Sequence, residues 1–223
     1  DYACNYGAQD KLTHTGIYGV DTTKDTIENL LDIDINYVYR VNFTSMINIV
    51  DALGGVDVTV DKGMAVSKFY TNSTLKGVHE GKNHLDGKRA LAYSRERKAY
   101  LDGDVQRARN QQQVLQAMFK KATSPDIIKN YTSLLNALID AFDTNMTTSE
   151  IPSFIKYQIQ ARPSWKFEQF VLKGDSALRV SPEIGSEVSV VLLYDSYINT
   201  AHEKIQAVLD GKSSDTVESD EDV

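Results

Sequence analysis

The amino-acid sequence predicts an α/β fold in one domain. Strand-like and helical periods alternate in its first part, apolar residues make up 41% of the chain, and 223 residues are enough to bury a core without disulfides. The domain is expected to span residues 1–211. The acidic stretch 212–223 carries too little apolar surface to fold, so we expect it to be disordered.

The first part of the chain alternates helix and strand. The predicted elements are a helix over Thr22 to Leu31, a strand over Ile35 to Phe43, a helix over Thr44 to Leu53 and a strand over Val56 to Val60. Gly54 and Gly55 end the second helix and turn the chain into the second strand. Lys62 to Asn83 has no clear period and is expected to be a loop with short strands.

The second part of the chain is mostly helical. The predicted elements are helices over Asp86 to Ala92, Asp104 to Ala122, Pro125 to Phe142 and Ser149 to Gln160, a strand over Trp165 to Leu172, and a stretch from Val188 to Leu209 that begins as a strand and ends as a helix. The helix over Asp104 to Ala122 has a polar first turn and an apolar continuation on one face.

Charge, cysteine content and hydropathy exclude several classes of protein. The formal net charge of −7 argues against a general nucleic-acid binder, and we expect no nucleic-acid partner. The single cysteine, Cys4, cannot form an intrachain disulfide and is interpreted as an ordinary thiol. The apolar stretches, such as Val188 to Tyr194, are far shorter than the roughly 20 residues of a membrane-spanning helix.

Basic side chains are concentrated between Lys82 and Lys121. If residues 93–97 are extended, Arg95 and Arg97 lie on the same face of the strand, roughly 6.5–7 Å apart. Guanidinium groups near a helix N-terminus favour a phosphate or pyrophosphate ligand. The alternative interpretation pairs these arginines with Glu96, Asp102 and Asp104 on a solvated surface.

The helix that follows continues this pattern. Arg107 and Gln111 are four residues apart and share one helical face, which continues into Val114 and Met118. An apolar continuation beyond a phosphate site suits a lipid tail. Packing in the core explains the same two apolar residues equally well, and both interpretations remain open at this point.

Four segments resemble the LytR-CpsA-Psr family. They are Asn36 to Phe43 (NYVYRVNF), Val50 to Val58 (VDALGGVDV), Leu85 to Arg97 (LDGKRALAYSRER) and the group Asp104, Arg107 and Asn110 to Gln112. Their order and gaps are also similar to those of the family. The segment Asp10 to His14 (DKLTH) is most similar to the corresponding segment of the streptococcal capsule branch, which is CpsA-like.

This resemblance implies an extracellular domain on a bacterial cell membrane, held by a membrane anchor upstream of Asp1. The implied fold is a mixed sheet with helices on both faces, which here lacks its N-terminal strands. Family members transfer a glycopolymer from a polyprenyl-pyrophosphate carrier to peptidoglycan as a phosphodiester, with Mg²⁺ as cofactor. The implied polymer is capsular polysaccharide, with teichoic acid as the second choice. The longer parent protein is expected to be an enzyme, and residues 1–223 alone are expected to be inactive.

The resemblance also implies roles for individual residues. The implied pyrophosphate ligands are Arg95, Arg97, Arg107, Gln111 and Lys11, of which Arg97 and Arg107 are catalytic, and Val114 and Met118 would border the lipid. The metal-binding aspartate is expected upstream of Asp1, with Asp1 itself as a further candidate. Many relatives carry a second helix arginine where this chain has Asn110, and Arg109 lies one position earlier.

Two other functions compete with transfer. A non-catalytic module that binds polyprenyl phosphate and regulates capsule synthesis would use the same arginines. A transcription regulator is the third hypothesis, and the acidic charge and the lack of a helix-turn-helix pattern argue against it.

Overall fold

The structure is a computed structural model, which describes residues 2–3, 9–124, 142–147, 150–161, 163 and 165–218. Asp1 and Cys4 lie outside the described residues, as does the helix predicted from Pro125 up to residue 141. Phe142, the expected end of that helix, instead begins a strand.

Helices and short strands alternate along the chain. The strands are β1 (Tyr2–Ala3), β2 (Gln9–Asp10), β3 (Tyr39–Val41), β4 (Val56–Val60), β5 (Val66–Lys68), β6 (Lys76–Val78), β7 (Gly81–Leu85), β8 (Phe142–Thr144), β9 (Gly174–Val180) and β10 (Glu187–Leu193). The α-helices are α1 (Val20–Leu31), α2 (Phe43–Ala52), α3 (Gly87–Arg95), α4 (Gly103–Ala122), α5 (Glu150–Ala161) and α6 (Asp195–Leu209). Short 3₁₀ helices cover Leu12–Ile17 and Ser214–Thr216.

The α/β class is confirmed, but the described strands do not form one mixed sheet. They pair two by two in antiparallel ladders, β1 with β2, β3 with β8, β4 with β7, β5 with β6 and β9 with β10. Helix α2 does connect β3 to β4, as the sequence predicted. The two strands then pair with different partners, so the connection does not create a parallel pair.

The described chain forms two compact units, and the single domain expected for residues 1–211 stays a prediction. The first unit contains the segments up to Val38 and from Leu172 onward, and the second runs from Tyr39 to Val171. In the first unit, α1 packs on α6, and the β9–β10 hairpin contributes the buried Val190. None of the helices in the described residues is both long and apolar enough to cross a membrane.

The first residues of the acidic stretch 212–223 form local hydrogen bonds, while disorder of the whole stretch stays a prediction. Ser213 caps a 3₁₀ turn over Ser214–Thr216, and Ser214 is buried. The ammonium group of Lys204 on α6 donates to the carbonyl oxygens of Ser214 and Val217, both at 3.1 Å. Hydrogen bonds from a lysine side chain to backbone carbonyl oxygens therefore hold this stretch, although its own side chains are polar. Residues 219–223 lie outside the described part of the chain.

The core of the second unit lies between the antiparallel pair of β4 and β7 and the helices α3 and α4. Alternate residues of β4 are buried, as the predicted alternation of Val56 to Val60 requires. The core of this unit includes Val50, Phe69, Leu85, Tyr93 and Val114, each at most 1% exposed. Because α3 and α4 both contribute to this core, the turn between them is held at both ends.

Two predicted strands differ from the structure. Of Ile35 to Phe43, only Tyr39–Val41 forms a strand, and all three of its side chains are exposed. Trp165 to Leu172 forms no strand. The rings of Trp165 and Phe167 instead lie edge-on to Phe119 of α4, at 5.0 and 5.3 Å between centroids. The aromatic alternation therefore reflects contacts with a helix.

Candidate functional site

Helix α3 is fixed at its N-terminus by two carboxylates. Asp86 caps the helix by accepting a hydrogen bond from the backbone N–H of Arg89 at 2.8 Å. Asp51 on α2 accepts from the backbone N–H of Gly87 at 2.7 Å. A side chain at Gly87 would lie 2.3 Å from the carbonyl oxygen of Ile47, so only glycine allows α2 and α3 to approach this closely.

Helix α3 ends at Arg95, which corrects the expectation of an extended segment over 93–97. The chain leaves the helix only at Glu96, with φ −67° and ψ 129°. Arg95 and Arg97 therefore do not point together from one strand. The guanidinium of Arg95 lies over the ring of Phe43, 4.3 Å from its centroid, a cation–π contact within the second unit.

Arg97 meets the N-terminus of α4. A side chain at Gly103, the first residue of α4, would lie 2.3 Å from the carbonyl oxygen of Arg97 and 2.7 Å from its Cγ. One turn into the helix, the Oδ1 atom of Asp104 is 3.4 Å from Nη1 of Arg97 and 3.0 Å from Nη2 of Arg107. Two guanidinium groups thus converge on one carboxylate oxygen.

This arrangement is open to solvent. The side chains of Arg97, Arg107 and Asp104 are 53%, 38% and 66% exposed. Exposed ion pairs of this kind contribute roughly 0–1 kcal/mol each, so another anion can exchange with Asp104 at little cost. Two cations face a single acid beside the backbone N–H groups that begin α4, a helix of 20 residues. The site has the charge and the donors to bind a phosphate or pyrophosphate.

The structure shows which of the three acids in the alternative interpretation pair with the arginines. Asp104 does pair with Arg97 and Arg107, as that interpretation predicted. The carboxylate of Glu96 is instead buried and bonded to backbone N–H groups, and Asp102 is the residue that precedes α4.

The remaining predicted residues divide into three groups. Gln111 is exposed one turn beyond Arg107 on α4. Val114 is 1% exposed in the core of the second unit, so packing accounts for it, and Met118 is partly buried against the same core. Lys11 belongs to the first unit, where its backbone N–H donates to Asp10 at 2.6 Å.

Asn110 is a structural residue that the sequence pattern did not reveal. It is fully buried, donates to the carbonyl oxygen of Tyr93 at 3.1 Å and accepts from Nε2 of Gln106 at 2.9 Å. Its amide ties α4 to the last turn of α3. Arg109 is exposed instead. In this chain, an arginine at position 110 would have to bury its charge in this interface, whereas the short amide is buried with both its donor and its acceptor satisfied.

Two tyrosines close the interface between α3 and α4. Burial raises the pKa of Tyr93 far above its usual value, and burial also raises the pKa of Tyr100. Both phenols therefore stay protonated at neutral pH. The hydroxyl of Tyr93 donates to Oε1 of Gln113 at 2.8 Å, a second bond between α3 and α4.

We find no metal site in the part of the chain that the structure describes. No three or more histidine, cysteine, aspartate or glutamate side chains are grouped there so as to hold an ion. The metal ligand expected upstream of Asp1, and Asp1 itself, fall outside that part.

Comparison with known proteins decides the family. The model of the LytR_cpsA_psr family matches residues 3–196. The chain belongs to the LytR-CpsA-Psr family. The resemblance of the four motifs is therefore confirmed, and the motif that carries Arg97 and Arg107 falls inside the match.

Curated relatives are similar to about two thirds of this chain. The polyisoprenyl-teichoic acid–peptidoglycan teichoic acid transferase TagU of Bacillus cereus (strain AH820) is 38% identical over 148 residues, which cover 65% of this chain and 46% of that protein. The chain thus spans about half the length of the curated relatives it matches.

Solved structures share the fold. A Streptococcus agalactiae protein has a TM-score of 0.74 and 25% identity, covering 97% of this chain and 73% of that one. A structure of TagT bound to LI-WTA has a TM-score of 0.70 and 28% identity, covering 90% and 72% of the two chains. The LytR-CpsA-Psr fold is thus present in the described residues.

Proposed function

We propose that the protein transfers a cell-envelope glycopolymer from a polyprenyl-pyrophosphate carrier to peptidoglycan, forming a phosphodiester. The observation that carries the proposal is the convergence of Arg97 and Arg107 on one carboxylate oxygen at the start of α4. Family membership supports it, as do the relatives named as transferases of polyisoprenyl-linked teichoic acid to peptidoglycan.

In this proposal the pyrophosphate takes the place that Asp104 holds between the two guanidiniums. A phosphate oxygen between Arg97 and Arg107 accepts charge-assisted hydrogen bonds from both guanidinium groups. The exposed carboxylate of Asp104 is held there only weakly, at 3.4 and 3.0 Å, so the phosphate can replace it. Gln111 is exposed one turn further along α4, and in this proposal its amide donates to the same ligand.

The transfer itself exchanges one phosphorus–oxygen bond for another. A hydroxyl oxygen of peptidoglycan attacks the phosphorus that carries the sugar, and the bond from that phosphorus to the bridging oxygen breaks. The products are the polymer phosphodiester and polyprenyl phosphate, and the hydroxyl proton passes to solvent. Negative charge grows on the departing phosphate, so fixed guanidinium groups accelerate the step by stabilising that charge.

The polymer and the compartment belong to the same proposal. The relatives named as teichoic acid transferases favour teichoic acid, and the segment DKLTH favours capsular polysaccharide. We place the site at the extracellular face of the bacterial cell membrane, where both the polyprenyl carrier and peptidoglycan are accessible.

Magnesium is proposed on the family resemblance alone. The described residues do not fit a magnesium site, since no three or more of their acidic, histidine or cysteine side chains lie close enough together to hold an ion. Asp104 is already paired with two arginines. The steps above therefore use the residues of this chain only. The ion would screen the charge of the pyrophosphate when bound.

The test is release of the carrier. The full-length protein is mixed with polyprenyl-pyrophosphate-linked polymer, peptidoglycan and Mg²⁺, and free polyprenyl phosphate and peptidoglycan-bound polymer are measured. We expect the two products in equal amounts, because one transfer makes one of each. Tight binding of the lipid without release would support the regulatory module instead. Equal release without peptidoglycan would show hydrolysis and overturn transfer.

A further inference from the structure

Glu96 is a buried acid beside the arginine site. It is 0% exposed and directly follows the last residue of α3. Its Oε2 atom accepts from the backbone N–H of Tyr70 at 2.6 Å. Its Oε1 atom accepts from the backbone N–H groups of Arg97 at 3.0 Å and Ala99 at 3.3 Å. One carboxylate thus binds three backbone donors on two segments.

This position is unfavourable for an acid. The C-terminus of a helix carries partial negative charge, and burial removes the water that would solvate a carboxylate. Among the described residues, no lysine or arginine side chain forms an ion pair with Glu96. Simple filling of the core would be achieved better by an apolar side chain of similar volume. The carboxylate is distinguished from such a side chain only by the donors it binds.

Several contacts hold the backbone of Arg97 in place. Glu96 binds the backbone N–H of Arg97 itself, and the N–H of Tyr100 donates to the carbonyl oxygen of Arg97 at 3.2 Å. Gly103 packs against that same oxygen from the other side. The backbone of Arg97 is therefore held from two directions, while its side chain reaches out 53% exposed toward Asp104.

We propose that Glu96 is a positioning residue, whose buried carboxylate holds the turn after α3 so that the Arg97 guanidinium faces Arg107 across the anion site. This inference rests on the proposed function. A long exposed arginine loses rotamer entropy when it binds an anion, and a fixed backbone reduces that loss. Glu96 touches neither the anion nor the reacting atoms.

The test compares two substitutions at Glu96 with a matched control. Glu96→Gln keeps the shape and Glu96→Met removes the acceptors without burying a charge. Asn83→Ala is the control, because Asn83 is also buried in the second unit and also binds loop backbone groups, those of His79 and Gly81. The measured quantities are the dissociation constant for inorganic pyrophosphate, the melting temperature, and amide hydrogen exchange at Arg97 and Ala99, all in the full chain.

We expect both Glu96 variants to weaken pyrophosphate binding about tenfold, the effect of one charge-assisted hydrogen bond, and to speed exchange at the two amides. Asn83→Ala should lower the melting temperature and leave the affinity unchanged. A Glu96→Met protein that folds and binds pyrophosphate like wild type would overturn the inference.

A double-mutant cycle separates positioning from general destabilisation. Once Arg97→Ala has removed the guanidinium, Glu96→Gln should weaken binding by less than about twofold further. Additive losses would show that Glu96 does not act through Arg97. If the wild-type chain binds no pyrophosphate, the proposed function fails together with this inference. If wild type binds pyrophosphate and the Glu96 variants bind it with the same affinity, this inference alone fails.

Discussion

Among the residues that the structure describes, each unit has a buried carboxylate that accepts several hydrogen bonds, Asp10 in the first and Glu96 in the second. The two carboxylates join segments that lie at different separations along the chain. In the first unit, Asp10 accepts from His14 at 2.9 Å, from the hydroxyl of Ser181 at 2.8 Å and from the backbone N–H of Glu183 at 3.0 Å. It therefore joins two segments that are far apart in sequence. Glu96 in the second unit binds donors at its own turn and at Tyr70, beside the arginine site.

The comparison shows that a buried carboxylate with several hydrogen-bond donors can serve two different purposes. Asp10 closes the first unit, because Ser181 and Glu183 belong to the turn between β9 and β10 while Asp10 ends β2. Glu96 is not needed to join α3 to α4, since Asn110 and the Tyr93–Gln113 bond already do so. Its hydrogen bonds hold the turn that carries Arg97, which makes it the better candidate for a functional role.

Acid titration should reveal the role of Asp10. Burial alone would raise the pKa of Asp10, but the hydrogen bonds from Lys11, Glu183, Ser181 and His14 outweigh it and lower the pKa to about 2, against an ordinary 3.8. The lowered pKa stabilises the folded state above pH 3.8, and this contribution, about 2 kcal/mol, is lost as the pH falls from there toward 2.

The measurement is the free energy of unfolding by denaturant between pH 6 and pH 2, for wild type and Asp10→Asn. The variant should be less stable at pH 6 and should lose about 2 kcal/mol less than wild type on acidification. Parallel pH curves for the two proteins would show that Asp10 is not the group that closes the first unit.

Gly103→Ala should separate position from stability at the arginine site. The new methyl group would clash with the carbonyl oxygen of Arg97, so the turn must shift, at a cost of roughly 1–3 kcal/mol. We expect pyrophosphate affinity to fall about fivefold, because Arg97 moves away from Arg107. Ala108→Gly is the control, since it weakens the same helix by about 1 kcal/mol without touching Arg97. Equal affinities of the two variants would argue against a requirement for close approach at Gly103.

The sequence predicted those parts of the fold that depend on local pattern. Val56 to Val60 alternates and follows two glycines, and it is a strand with the predicted bounds. Asp86 was predicted to begin a helix, and it caps one. Trp165 to Leu172 alternates as well, yet its aromatic rings pack against a helix, because periodicity does not reveal the partner of an apolar face.

The site was predicted in part. The motif pointed to Arg97 and Arg107, and the structure brings them together on Asp104. It misplaced Arg95, because α3 runs to that residue and turns its side chain onto Phe43. Glu96 and Asn110 were missed as buried groups, since a charged or amide residue between polar neighbours gives no local sign that folding will bury it.

The central claim is that Arg97 and Arg107 form one anion site that serves transfer. The direct measurement is attachment of polymer to peptidoglycan by the full-length protein with Arg97→Ala, with Arg107→Ala and with Arg40→Ala as the matched control, since Arg40 is an exposed arginine of the same unit paired with Asp143 at 2.6 Å. We expect the first two variants to fold and to lose attachment by at least about a hundredfold, and the third to attach polymer like wild type. Wild-type attachment by both Arg97→Ala and Arg107→Ala would contradict the account.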